Sequence, residues 1–512
     1  MKNIIKLLMA LTLAVALVGC GSEDTTEKDT FIMGIDSDPS NVINVVTTND
    51  RSGLMTVNTV FSPLYKYMAG GEVEYKLADS IEASEDGLTY TVKLKEDVKW
   101  HDGEDFNADD VVFTFTTLLE NEQSEQSGPL QFGGEKVEVT KVDDYTVEFQ
   151  LKSAKPNAME VFGAAFIMPE HIYKDVTDYA TSTITPVGTG PYEYVEYNEG
   201  ESTVFVANQE YFDGAPSIEN LIFKVISNSD TAIEAMKNNE IDGLAIIPED
   251  VEKFDDSFSI NPYSEGRLGY MSFNFNTPSE NSGLIKDQNF RKAVMYAINQ
   301  EEVIEAAYIS EEYSLNPASF LPSTALYTTD DVESYDVDVD KAKELLAETE
   351  GENATLTLAF PTNPANEATA LIIQSNLKEI GITLNLDAMD PSAFYKSTTD
   401  KSGEYDLYLN GYIMTIDPDG FAPLFTTDNA MNSSGYSNKT IDELFAAGIE
   451  ETDSEKREEI YVELQKEFME NAFFLPLTEN KRIVVVGENV NLDDAKFAPI
   501  YTFDDWSKVS FK

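Results

Sequence analysis

Two histidines, His101 and His171, and one cysteine, Cys20, are the only imidazole and thiol groups in 512 residues. A histidine-rich metal site needs more ligands than these. No C-x-x-C pair, H-E-x-x-H helix, G-x-S-x-G elbow or Walker-type phosphate loop occurs. Carboxylates are abundant, 93 in all, but nothing singles out a pair for glycosidase-type acid and base work. Asp417-Pro418-Asp419-Gly420 opens like a calcium loop, yet the spacing that continues to a bidentate Glu does not follow, which favours a turn. His101 lies in Lys99-Trp100-His101-Asp102-Gly103 after a strand, where a tight turn and a structural role are expected. The residue chemistry points away from catalysis, and neither a cofactor nor a metal is expected.

Cys20 is informative through its position. Lys2 and Lys6 precede an apolar run, 7–18, that is shorter than the roughly 20 residues of a membrane-spanning helix. The run ends in Leu17-Val18-Gly19-Cys20, which resembles a bacterial lipobox. Residues 1–19 are therefore expected to be a signal peptide, with a lipid on Cys20 holding the chain to the outer face of the cell membrane. Residues 20–30 are polar, lack an apolar period and read as a tether. With one cysteine, no intramolecular disulfide can form.

The 93 acidic against 35 basic residues give a net charge of -58, which excludes nucleic-acid binding. The excess reads as a solvated acidic surface suited to a saline or alkaline habitat, with steering of cationic ligands as the lesser alternative. Hydrophobic residues at 42% and aromatics at 11% are those of a globular chain, and its length calls for two or three domains or lobes.

The pattern along the chain is mixed α/β. Tyr90, Val92 and Leu94 alternate with polar residues as in a half-buried strand, and Asn107 can cap a helix carrying Val111, Val112, Phe115 and Leu118. Tyr145, Val147, Phe149 and Leu151 mark another strand. Two segments read as βαβ units: 221–227, 231–238 and 241–246, then 355–360, 367–380 and 382–388, the second helix ending at Gly381. Two such units over a hundred residues apart suggest two α/β lobes. Phe290, Ala293, Val294, Ala297 and Ile298 share a helical face, and Asn299 with Glu302 resembles a capping box. Ile460, Leu464 and Phe468 define a later amphipathic helix. The strand pattern at 482–487 is expected to return to the first lobe.

Several spaced motifs together resemble family 5 of the extracytoplasmic solute-binding proteins. They are Leu77-Ala78-Asp79-Ser80, Ser84-Glu85-Asp86-Gly87-Leu88-Thr89-Tyr90, Val98-Lys99-Trp100-His101-Asp102-Gly103 and Ala108-Asp109-Asp110-Val111, followed by Gly188-Thr189-Gly190-Pro191-Tyr192, Phe290-Arg291-Lys292-Ala293, Gly435-Tyr436-Ser437-Asn438 and Phe474-Leu475-Pro476-Leu477. The resemblance implies a bilobal periplasmic-binding-protein-like α/β fold of the large peptide-binding class. Lobe I would take 31–60, 175–269 and 478–512, an extra subdomain 61–174, and lobe II 270–477, with crossovers near 268–276 and 474–483. It also implies a binding protein, not an enzyme: a monomer that captures peptides in an interlobe cleft for ABC permease subunits and their cytoplasmic ATPases. A nickel chelate or other small solute, a peptide-sensing receptor and a secreted hydrolase are the alternatives.

In peptide-binding relatives the segment matching 407–419 lines the cleft. Gly411 would pair with ligand through its backbone, and Tyr412, where relatives have Trp, would pack beside it. Ile413 and Thr415 complete the candidate wall. Thr415 stands where several relatives place an Asp, so Asp417 is the expected partner for a peptide's ammonium group.

Overall fold

The computed structural model describes residues 28–68, 71–132, 134–413 and 416–512. The expected signal peptide, Cys20 and Thr415 lie outside these residues.

Eleven strands form one mixed sheet: β1 (Thr30–Ile35), β2 (Tyr192–Asn198), β3 (Ser202–Ala207), β4 (Asn220–Val225), β5 (Gly243–Ile246), β6 (Phe258–Phe273), β7 (Ser314–Leu315), β8 (Thr355–Pro361), β9 (Thr383–Met389), β10 (Leu407–Ile413) and β11 (Phe474–Gly487). Their order is β2-β3-β4-β1-β5-β11-β6-β10-β8-β9, with β7 against β11. Strands β6 and β11 are antiparallel partners of 16 and 14 residues, roughly 50 Å long at the usual rise. At one end β11 pairs with β5, and at the other β6 pairs with β10, so both strands run through two lobes. Residues 483–486 of β11 pair with β5. β6 begins at Phe258, ten residues before the expected crossover. Its register shifts between Ser264 and Arg267 at Gly266 (φ +69°), and this interruption hides the strand period from sequence.

Each lobe has its own core. Phe31, Val60, Phe115, Phe223 and Trp506 belong to the first, which β11 joins through Val484 and Val486. Phe290, Leu358, Ile373 and Leu407 belong to one cluster of the second lobe, and Phe320, Phe421, Tyr461 and Phe468 to another. The two-stranded ribbon of β6 and β11 joins these cores.

The second βαβ unit is formed as read, with β8 and β9 parallel from Thr355↔Thr383 around helix Pro364–Glu379. In the first, β4 and β5 are parallel but not adjacent, because β1 lies between them. A sequence period reports burial of a strand, not its neighbour. Asn299 caps helix Gln300–Tyr308 by accepting from the Glu302 N–H. The Glu302 side chain does not close the capping box but accepts from Asn376.

Within 61–174 a four-stranded sheet runs Ala78–Ala83, Thr89–Leu94, Thr146–Gln150, Glu138–Asp143, packed by helix Ala108–Glu120. Asn107 and Asp110 form a full capping box on that helix, and Asp110 also accepts from the Trp100 indole at 3.2 Å. The motif around Trp100 is therefore a fold device.

Candidate functional site

His101 illustrates the same point. The Gly188 N–H donates to its Nδ1 at 3.2 Å, so Nε2 carries the proton and donates to the Gly190 carbonyl at 3.0 Å. Burial pushes its pKa down to about 4, which keeps this neutral clamp intact. A Cβ at Gly188 would stand 1.8 Å from the Val60 carbonyl oxygen, so the Gly-Thr-Gly motif has no room for a side chain. Both groups are structural, as expected for His101.

An open strand edge lies beside the ribbon. β10 pairs with β6 from Phe273↔Leu407 to Arg267↔Ile413. On its other side β8 reaches only Leu407 and Tyr408, so among the described residues Leu409 to Ile413 have no strand partner on that edge. A cavity of about 450 Å³ opens there, lined by Gly269, Asn363, Thr478, Asn480, Asn410 and Gly411 among others. The Gly411 N–H donates to Asn410 Oδ1 at 2.9 Å. Glycine is needed at 411 because a Cβ would lie 2.9 Å from the Leu268 carbonyl oxygen. Ile413, partly buried at the end of β10, does not line the cavity.

A second cavity, about 220 Å³, lies on the first-lobe side, with Gly34, Asp36, Arg51, Ser52, Ile246 and Arg482 in its wall. Thr478, Asn480 and Arg482 alternate along β11, so they share a face of the sheet. The two cavities therefore open on the same face of the ribbon.

Two sequence expectations are corrected. Tyr412 does not stand beside the cavity. Its ring packs against Tyr270, Phe421, Phe425 and Phe474, and its hydroxyl donates to the Phe320 carbonyl, so alternation along β10 turns it into the second-lobe core. Asp417 is 3% exposed and accepts two bonds from Arg457, each 2.7 Å. It also caps the turn Pro418–Phe421 through the Asp419 N–H, in agreement with the turn reading of this motif. A carboxylate already held by a buried guanidinium is a poor partner for a ligand's ammonium.

Sequence gave no sign of Glu160. From helix Ala158–Gly163 it accepts from the Ile416 and Asp417 amides at 2.8 and 2.9 Å, tying the extra sheet's region to the segment just beyond β10. Burial, then the charge of Asp417, raises its pKa to about 7.

The model for bacterial extracellular solute-binding proteins, family 5, matches residues 72–433. The chain belongs to this family. It is a non-catalytic, extracytoplasmic substrate-binding protein of the ABC importer type. The crystal structure of the ABC transporter substrate binding protein CtaP from Listeria monocytogenes is similar, with a TM-score of 0.90 and 36% identity over 94% of this chain and 99% of that one. The oligopeptide-binding protein AppA of Bacillus subtilis is 25% identical, covering 93% of this chain and 91% of its own. Heme-binding protein A of Haemophilus influenzae is 27% identical, covering 93% of this chain and 94% of its own. The bilobal α/β fold agrees with these likenesses.

In this solute-binding protein the cleft residues that the motifs missed are Arg267 and Arg482 on the ribbon. Their type and charge were visible in sequence. Arg267 lines the larger cavity and Arg482 the smaller, and their placement on one ribbon depends on the register of strands over two hundred residues apart.

Proposed function

We propose that the protein captures peptides at the outer face of the cell membrane, held there by a lipid on Cys20, and delivers them to ABC permease subunits served by separate ATPases. The observation that carries this reading is the open β10 edge from Leu409 to Ile413 beside a 450 Å³ cavity. An extended peptide can add to such an edge through main-chain hydrogen bonds, with Gly411 offering its N–H in place of the Asn410 contact. Backbone pairing supplies affinity without choosing side chains. The Asn and Thr lining suits water-bridged accommodation of varied residues. The likeness to AppA, named as oligopeptide-binding, supports the same ligand class. The proposed lobe boundaries at 269/270 and 477/478 fall inside β6 and β11, so closure would bend continuous strands.

Native mass spectrometry of the purified protein tests the proposal. Peptide masses released intact on unfolding support it, and added peptide should then reduce the radius of gyration in solution scattering. Recovery of haem or a metal chelate alone, with no uptake of added peptides, would overturn it.

A further inference from the structure

The sequence contains five arginines, and three have internal partners. Arg51 holds Glu265 through both terminal nitrogens, at 2.6 and 3.0 Å. Arg291 donates to the carbonyls of Ile285, Asn471 and Ala472. Arg457 pairs with Asp417 and Asp419. Among the described residues, Arg267 and Arg482 make neither an ion pair within 4 Å nor a side-chain hydrogen bond. The Nε of Arg482 is buried with no acceptor. A buried donor left unsatisfied in a native protein calls for an explanation, because its desolvation is uncompensated.

Both sit on the ribbon. Arg267 on β6 is opposite Asn480 on β11, and Arg482 lies two residues further along the same face. Glu265 and Gly266 bulge from β6 between these two positions, so the ribbon is irregular where the two arginines face the cleft. Arg267 lines the second-lobe cavity, whose wall contains no carboxylate, while Arg482 lines the first-lobe cavity, where Asp36 is the only acidic residue in the wall. Burial and then the charge of Arg51 lower the pKa of Arg482, as expected of a cation short of counter-charge. Glu265 and Asp36 lie near Arg482, but Glu265 is already held by Arg51 and neither forms an ion pair with Arg482.

We propose that the cleft selects an anionic group on its ligand, seating a carboxylate at Arg267 and Arg482, and that this contact rather than an ammonium site fixes the register of a bound peptide. This rests on the peptide-binding reading. The guanidinium fork accepts a carboxylate in bidentate fashion and fixes its orientation. The carboxylate comes either from the peptide's C-terminus or from an Asp or Glu side chain, and both chemistries fit the same pair.

The test uses a tetrapeptide library in three forms: free acid, C-terminal amide and N-acetyl acid. Binding to the full chain is read by native mass spectrometry, with sequencing of the bound fraction. Free and N-acetyl acids are expected to bind alike. Amidation should weaken binding about tenfold or more, in keeping with the loss of a charge-assisted pair. If side chains supply the charge instead, the bound amides should be enriched in Asp and Glu. Arg267→Gln, at an exposed position, and Arg482→Gln should each remove the preference for acids, bringing their affinity down toward that of the amides. A melting temperature checks that each variant is folded. Equal binding of acids and amides without acidic enrichment overturns the carboxylate site and leaves peptide binding standing. Failure of all three libraries to bind overturns both.

Discussion

Arg457 grips Asp417 with both terminal nitrogens, Nη1 on Oδ2 and Nη2 on Oδ1, each at 2.7 Å, in the interior of the second lobe. The same guanidinium reaches Asp419 at 2.7 Å, and the rings of Tyr327 and Tyr461 lie 5.5 and 5.1 Å from it. This cluster anchors the turn that follows β10. It makes Asp417 a residue of stability.

Asp417→Asn is therefore expected to destabilise the protein by about 3 kcal/mol, the scale for breaking a buried ion pair. Denaturant unfolding measures this. Free and N-acetylated peptides should lose affinity equally, if at all. A loss confined to free peptides would restore Asp417 to the ligand site.

Glu160 gives a pH dependence with a definite sign. In the contact with residues 416 and 417 its pKa is about 7, against an ordinary 4.5. Burial and the Asp417 charge raise it and outweigh the two amide bonds, which lower it, so the arrangement that buries Glu160 binds more protons than one that returns it to solvent and is favoured as pH falls from about 7 to 4.5. The closed population, followed by interlobe fluorescence transfer, should grow as pH falls from 8 to 5. Glu160→Gln should flatten that profile. An identical pH profile in the variant would show that Glu160 plays no part.

His101→Ala leaves the Gly188 N–H and the Gly190 carbonyl without their partner. Each orphaned group costs about 1–3 kcal/mol, so the melting temperature should fall while peptide affinity is kept in the folded protein. The His101 pKa is depressed to about 4, so its contribution is present in full above about pH 6.5 and is lost as pH falls toward 4. The variant should lack this part of the acid-side decline. A lost affinity with an unchanged melting temperature would contradict the structural assignment.

Cys20→Ala tests the anchor. Wild type should carry an acyl mass and fractionate with membranes, whereas the variant should be unprocessed or released. Membrane retention of a processed variant, with no acyl mass on the wild type, would refute the lipid.

Much of the fold was legible from local pattern. The Asn107 cap, the face of Phe290, Ala293, Val294 and Ala297, the β8-helix-β9 unit and the family motifs are all set within short stretches, where the period of burial and the hydrogen-bonding reach of one side chain suffice. Sequence also settled the poverty of catalytic groups and the excess of acid. What it left open depends on registers between distant strands. Tyr412 faces the core because β10 pairs with β6 in one register, and a slip of one residue would have turned it to the cleft. Asp417 meets an arginine 40 residues away, Glu160 meets amides 256 and 257 residues away, and Arg267 and Arg482 share one ribbon only because the two lobe-crossing strands pair. Charge and residue type are properties of the chain, but whether a charge is already paired is a property of the fold.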